Sequence, residues 1–314
     1  RRLFGSFLAW FQRMRFKIRS GVGMNVNSHE WDVMCRILGI HGDRCVFGDF
    51  SNFDGSARYI VFKYITRFYI NRWYQFFDPN WTESDDIARL NYIQVMSQAQ
   101  VYYKGMIIEL FNVLCSGDVM TTLMNTMRQK VEQLMACAIV DFGEEAFFMD
   151  TIDFRRYLEH SRGFFFGDDS ALSFSTELDI DQEKLTEAFA LLGVTYTNDS
   201  KTSEVFKLRP ITDGTFLKCA IQYDRKLGRW VSRLAWESIM DMVYWRKKSC
   251  TRDDYLRNVE IAISHISRYG ETSFNRWVPA IAKALFDHFG YVSENHSDWW
   301  TCYKKSFTLE LEYI

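Results

Sequence analysis

Apolar and polar positions recur along this chain with two different periods, and elements begin or end where the period changes. Leu3 to Phe11 is an apolar run between Arg1-Arg2 and Gln12-Arg13-Met14-Arg15-Phe16-Lys17. Basic residues stand where a secretory leader would need a small-residue cleavage site, so the run reads as an internal amphipathic segment. Residues 29–39 read as a short helix opened by Ser28, with Glu30 and Asp32 in its first turn. Arg44 to Asp49 reads as a buried strand that ends at a carboxylate. From Ser56 to Phe77 apolar residues return about once per helical turn, through Tyr59, Phe62, Ile65, Tyr69 and Trp73. Asp78-Pro79-Asn80 ends that helix, and Thr82 with Asp85 opens the next.

Gln100 to Tyr103 and Met106 to Leu110 flank Lys104-Gly105, a hairpin signal. Ser116-Gly117 forms a tight loop into a helix over about 118–137, and 141–159 reads as a loop with a short helix. Gly163 to Gly167 and Ser170 to Phe174 make a second hairpin, with Asp168 and Asp169 on its turn. Asp179 to Leu192 is a helix stopped by Gly193, and Val194 to Thr197 is a strand. Phe206 to Leu208 and Thr215 to Ile221 are strands around the turn Thr212-Asp213-Gly214. From about 234 only long helices follow, over 234–247, 251–268 and 274–289. Antiparallel hairpins among helices, then a helical tail, place the chain in the α+β class. There is no internal repeat and no low-complexity tract.

Composition agrees with a folded protein: 314 residues, 47% apolar, 17% aromatic and only 3 prolines. The net charge of −2 argues against bulk attraction to nucleic acid. The charge is uneven, however. Residues 1–28 hold six basic side chains and no acid, leaving the remainder with 32 basic against 40 acidic residues. A basic arm on an acidic body suits a polyanion-binding surface beside a carboxylate site, and equally a solvated helix face. Seven cysteines without a CxxC pair point to free thiols in a reducing compartment, with no zinc knuckle and no disulfide frame. No HExxH occurs, and His296 with Cys302 is chance proximity. No apolar run reaches the roughly 18 residues of a membrane span.

Three acidic or hydroxyl-bearing stretches carry the candidate chemistry. Asp49 and Asp168 each sit at a strand end beside glycine, where carboxylates can meet and hold a divalent cation. Asp169 follows in the same turn. Asp54, five residues beyond Asp49, is better placed to accept a hydrogen bond from a sugar hydroxyl. Thr121 and Asn125 are four apart and share a helix face, with Ser116 and Gly117 just before them. An Asp and an Asn meeting at a ribose could require its 2′-hydroxyl. Taken singly, the same residues also read as turn aspartates, a helix cap and a core amide.

In combination these stretches resemble the motifs of a picornavirus-like RNA-dependent RNA polymerase. Asp49-x4-Asp54 is similar to motif A, and Ser116-Gly117-x3-Thr121-x3-Asn125 to motif B. Phe166-Gly167-Asp168-Asp169 resembles motif C, with Phe where Tyr is usual. Tyr196 to Lys201 resembles motif D and Phe216-Leu217-Lys218 motif E. Gly21 to Asn25 and Glu30-Trp31 resemble the segment before motif A. The order and spacing agree over about 20–220.

The resemblance implies a right-hand polymerase. Residues 1–28 would be a remnant of the fingers, 29–232 an antiparallel palm backed by helices with a fingers insertion near 78–115, and 233–314 a helical thumb. It implies two Mg²⁺ ions, with Mn²⁺ as substitute, held by Asp49 and Asp168 with Asp169 assisting. Asp54, Ser116, Gly117, Thr121 and Asn125 would position the nucleotide and check its ribose. Lys201 would protonate the leaving pyrophosphate or steady its charge. Phe216, Leu217 and Lys218 would grip the primer. Residues 224–257, with nine basic and five acidic side chains, would follow a duplex backbone.

The implied partners are an RNA template, a primer–product duplex, NTPs, a viral protein primer and other replication proteins. The implied location is the host cytoplasm, at replication complexes on membranes. The family's basic motif F and N-terminal fingers have no counterpart here, and Cys219 stands where motif E often has a basic residue. The expectation is therefore a piece of a longer polyprotein. The alternatives are an inactive RNA-binding or assembly fragment of such a polymerase, and a reverse-transcriptase-like palm.

Overall fold

Phe4, Phe7 and Phe11, a helical turn apart, give the first helix a buried face, and each later element follows from a similar local pattern. The computed structural model describes residues 2–111, 113–114, 118–201, 204, 207–296 and 298–307. They fall into two compact units, Arg1–Met24 with Arg36–Leu217, and Asn25–Cys35 with Lys218–Ile314.

The first unit holds α1 (Gly5–Arg13) and the end of α2 (His29–Leu38), then β1 (Cys45–Ser51), α3 (Tyr59–Ile65) and α4 (Asn71–Phe77). The single helix expected over 56–77 is interrupted: a π-helical turn, Thr66–Ile70, separates α3 from α4. Next comes α5 (Glu83–Ser97), whose cap Thr82 accepts the Asp85 N–H at 3.2 Å, as its sequence anticipates. Strands β2 (Gln98–Tyr103) and β3 (Met106–Phe111) form the expected hairpin on Lys104-Gly105, both at positive φ. α6 (Thr121–Phe142) runs five residues past its expected end and stops at Gly143, φ 60°.

α7 (Arg155–His160) leads into β4 (Ser161–Phe166) and β5 (Asp169–Phe174). α8 (Gln182–Leu191) starts later than its periodicity suggests, because Asp181 caps it through the Lys184 N–H at 3.0 Å. β6 (Thr195–Asn198) and the two-residue β7 (Thr215–Phe216) complete the unit. The strand expected over 215–221 is broken after Phe216, since Leu217 and Lys218 take left-handed φ values of 54° and 58°.

The four-stranded sheet has the order β4-β5-β1-β6 and is antiparallel throughout. Val46, Phe50, Leu172, Phe174 and Tyr196 turn one face onto Ala136 to Ile139 of α6 and onto Leu185, Ala188 and Phe189 of α8. The other end of α6, Met120 to Met124, enters a second core with Phe4, Phe7, Phe11 and Phe62. One helix thus serves two cores, which is why so many of its faces are buried.

In the second unit, β8 (Cys219–Asp224) and β9 (Arg229–Leu234) pair as a hairpin around Gly228, φ 66°. Asp224 Oδ1 accepts the Lys226 and Leu227 N–H groups at 2.7 and 2.8 Å, fixing the turn. β9 was not anticipated, and its pairing places this hairpin with the helices that follow. Those are α9 (Trp236–Tyr244), α10 (Arg252–Ile266), α11 (Glu271–Phe289) and the unanticipated α12 (Trp299–Lys305). The segment Asn25–Cys35 is tied in by Asp32, which accepts the Trp230 N–H at 2.9 Å, and by Asn27, which accepts from buried Arg268 at 2.8 Å. None of the described cysteines forms a disulfide, and of these only Cys250 is not buried. Among the described residues no helix is long and apolar enough to cross a membrane.

His265 on α10 is buried, and its Nδ1 has no hydrogen-bond partner among the described residues. Burial, and then Arg268, lower its pKa to about 4. Once unfolded the imidazole titrates near about 6.5, so between these values the unfolded state binds the proton and stability falls as pH drops. We expect acidification from pH 7 to 4 to cost on the order of 2–3 kcal/mol through this residue. Denaturant unfolding followed by tryptophan fluorescence should show it, and His265→Leu should flatten the slope. A slope unchanged in that variant would assign the pH dependence elsewhere.

Candidate active site

The two-residue turn between Phe166 and Asp169 consists of Gly167 and Asp168, with Gly167 at φ 62°. Glycine takes that conformation without a Cβ penalty. Helix α6 pins the turn from behind. The Gly167 N–H donates to Thr126 Oγ1 at 2.8 Å, and Gln129 Nε2 donates to the Asp168 carbonyl at 3.1 Å. Neither residue was singled out from sequence. The available signal was a polar stripe, Thr122, Thr126, Gln129 and Gln133, at helical spacing in a buried helix.

On β1, Gly48 lies between Ser170 and Asn198 of its two neighbouring strands. The Tyr196 ring closes over it so tightly that a Cβ there would fall 2.0 Å from Tyr196 Cζ. Ser170 Oγ donates to the Gly48 carbonyl at 3.1 Å, locking β5 to β1. Asp49 follows directly. Its Oδ1 accepts the Phe50 N–H at 2.9 Å, and its Oδ2 lies 2.7 Å from Lys201 Nζ. Lys201 sits just past β6 at φ 55°, a turn that brings its ammonium back to β1. The bond to Asp49 and then its charge raise the Lys201 pKa.

Burial first, and then the Asp49 carboxylate, raise the pKa of Asp168, which shares a hydrogen bond with Asp49. The two carboxylates that the sequence pairs are thus adjacent. Asp169 differs from its expected place on the turn. It is the first residue of β5, and its Oδ2 accepts the Leu217 N–H at 2.5 Å. Burial raises its pKa to about 7, against the lowering effect of that N–H.

Asp54 and Asn125 also meet: Asn125 Nδ2 donates to Asp54 Oδ1 at 2.5 Å. Asn125 Oδ1 is buried and has no hydrogen-bond partner among the described residues. The turn carrying Asp54 is held by Arg128, a fully buried residue absent from the sequence candidates. Its guanidinium donates to the Phe53 carbonyl at 2.9 Å and to Ser56 Oγ at 3.0 Å, pairs with Glu132 at 2.8 Å, and lies 3.9 Å over the Phe53 ring. A cleft of about 700 Å³ joins the two groups, lined by Asp54, Asp118, Thr121, Asn125, Asp168 and Lys201. Asp118 was also unforeseen: it accepts the Met120 N–H at 2.8 Å and the Tyr92 hydroxyl at the start of α6.

Phe216 is fully buried, while Lys218 is exposed. Ser116 and Gly117 lie outside the described residues.

The donor set suits a hard divalent cation. Asp49 and Asp168 offer carboxylate oxygens at one point, and the Lys201 ammonium already sits against Asp49 as a cation would. Among the described residues no three His, Cys, Asp or Glu side chains converge as a ligand group. Two carboxylates suffice for Mg²⁺, which takes its remaining oxygens from water and substrate phosphates.

A family profile described as viral RNA-dependent RNA polymerase matches residues 1–282. The chain is 27% identical over 289 residues to the replicase polyprotein of Acute bee paralysis virus (strain Rothamsted), covering 88% of this chain and 15% of that protein. It is 24% identical over 287 residues to the replicase polyprotein of Drosophila C virus (strain EB), covering 90% and 16%. The chain therefore spans a small part of the length of these relatives. The solved structure titled Sicinivirus 3Dpol RNA dependent RNA polymerase matches with a TM-score of 0.76 at 16% identity, over 97% of this chain and 59% of that one. The mixed helix and antiparallel-sheet fold is that of a polymerase.

Gly48→Ala should destabilise the first unit by about 1–3 kcal/mol, the usual cost of overpacking a core. Combining it with Tyr196→Leu should recover part of that cost in a double-mutant cycle of denaturant midpoints. Strict additivity would mean that the Tyr196 ring is not what requires glycine.

Proposed function

The chain belongs to the viral RNA-dependent RNA polymerase family, and we propose that it carries the catalytic centre for RNA-templated RNA synthesis in genome replication and transcription. An RNA 3′-oxygen forms a bond to the α-phosphorus of an NTP, the bond from that phosphorus to the β-phosphate oxygen breaks, and pyrophosphate leaves. The observation that carries the proposal is the buried, unpartnered Asn125 Oδ1 beside Asp54, in the same cleft as Asp168 and Lys201. A carbonyl oxygen there suits a donating sugar hydroxyl, which a deoxyribose lacks at its 2′ position.

In this reading Asp49 and Asp168 hold two Mg²⁺ ions, or Mn²⁺ in their place. When bound, these neutralise phosphate charge and lower the pKa of the attacking hydroxyl. Asp169, bound to the Leu217 amide, assists from behind and anchors the primer-grip segment Phe216, Leu217 and Lys218. Thr121, with Ser116 and Gly117 before it, lines the nucleotide's path. Lys201, kept protonated by its contact with Asp49, would give up that carboxylate to the metal and protonate the departing pyrophosphate or steady its charge. Residues 29–232 act as palm and 233–314 as thumb along the primer–product duplex, with 1–28 a part of the fingers. A viral protein primer, other replication proteins and a setting at cytoplasmic membrane complexes complete the proposal.

In the polymerase that contains this sequence, Asp168→Ala should lower divalent-dependent primer extension by roughly 100-fold or more and leave RNA binding within about threefold. Chelation should abolish extension, and added Mg²⁺ or Mn²⁺ should restore it. Unchanged extension by the variant would remove Asp168 from the catalytic set.

A further inference from the structure

At the far end of β4 from the Gly167-Asp168 turn, about 17 Å away along the strand, basic side chains gather without a counter-ion. Arg19 Nη1 and Arg162 Nη1 donate to the same oxygen, the Ser161 carbonyl, at 2.9 and 2.6 Å. Two guanidinium groups are thereby held together around one atom. His41, His160 and Arg44 complete the group: the charges of Arg162, His160, Arg19 and Arg44 all bear on His41. Lys130 lies behind, donating to the Ile18 carbonyl and within reach of the Arg19 charge.

The arginines are anchored by backbone carbonyls. Arg44 donates to the carbonyls of Phe174 at 3.1 Å and Leu178 at 3.2 Å, and Arg162 also donates to those of Leu158 and Glu159 at the end of α7. Among the described residues none of Arg19, Arg44, Arg162 or Lys130 has a carboxylate partner. Asp43 and Glu159, the acids nearest in sequence, are exposed and form no ion pair with the group. His160 Nδ1 is 3.1 Å from Ser175 Oγ, whereas His41 Nε2 is buried with no partner.

Like charges this close repel, and among the described residues Asp179, exposed and already paired with Lys184, offsets Arg44 only in part and Arg19 and Arg162 not at all. Neutral carbonyls satisfy some of the N–H groups but supply no negative charge. A tetrahedral anion with several acceptor oxygens would offset the charge, take the remaining guanidinium donors, and accept from His41 in its Nε2–H tautomer.

We propose that Arg19, Arg162 and His41, with Arg44 at their flank, form a phosphate-binding site separate from the cleft. The phosphate comes either free in solution or as part of an RNA backbone, since the chemistry that recognises it is the same. The test is isothermal titration of inorganic phosphate into the polymerase containing this chain, in EDTA at low salt, so that metal-borne phosphate in the cleft does not contribute. One saturable site is expected. Arg19→Gln with Arg162→Gln should weaken it by roughly tenfold or more, and Arg162→Lys, which keeps the charge but not the planar fork, should weaken it by less than the double variant does. His41→Leu breaks no side-chain hydrogen bond of Nε2 among the described residues. It should weaken binding by roughly threefold, which keeps the test decisive if the double variant fails to fold.

A short single-stranded RNA that displaces phosphate, with a salt slope reduced by about two in the double variant, would identify RNA as the source. An RNA without effect would identify free phosphate. The proposal is overturned if the parent shows no saturable phosphate binding. It is equally overturned if folded variants, with unchanged melting temperatures, bind phosphate as the parent does.

Discussion

Two carboxylates held against each other, Asp49 and Asp168, set the terms for the rest of the first unit. Their repulsion, together with the burial of Asp168, favours protonation or a cation, and Lys201 is the cation at hand. Such an arrangement persists only if the backbone beneath it cannot relax. Three devices prevent relaxation. Gly48 admits the Tyr196 ring, so β1 and β6 close up. Ser170 bonds β5 to β1. Thr126 and Gln129 hold the hairpin turn from α6.

α6 is therefore more than a backing helix. Successive turns of it carry Thr121 and Asn125 to the cleft, Thr126 and Gln129 to the Gly167-Asp168 turn, and Arg128 to the loop bearing Asp54. Arg128 is costly to bury, yet Glu132, two oxygen acceptors and the Phe53 ring all meet it. The Asp54–Asn125 pair and the turn bearing Asp168 are fixed to one rigid element, so their separation is set by helix geometry rather than by loop conformation.

Sequence made the candidate site residues legible where chemistry and local spacing coincide. Asp49 and Asp168 stand beside glycine, Asp168 on the turn after β4 and Asp49 within β1, which runs on to Ser51 rather than ending at the carboxylate, and Thr121 and Asn125 share a helix face. Their contacts follow from those positions. It failed where a residue's role is decided by a distant partner. Asp169 looks like a turn residue until the Leu217 amide, 48 positions away, captures its carboxylate. That same bond, with two left-handed residues after Phe216, breaks the strand expected over 215–221. Arg128 is illegible for the same reason, and Thr126 and Gln129 show in the sequence only as part of a polar stripe at helical spacing. β9 and α12 are short elements that become regular through pairing or capping rather than through a long periodic pattern.

The central claim is that Asn125 and Asp54 read the ribose of an incoming nucleotide in a cleft that does nucleotidyl transfer. Its most direct test is the ratio of NTP to dNTP incorporation, as kcat/KM in single-nucleotide extension, by the polymerase containing this chain. The account predicts a preference for NTP of roughly 100-fold or more, falling to under about tenfold in Asn125→Ala chiefly through loss of NTP efficiency. Equal use of dNTP by the parent, or a preference untouched by Asn125→Ala, would contradict it.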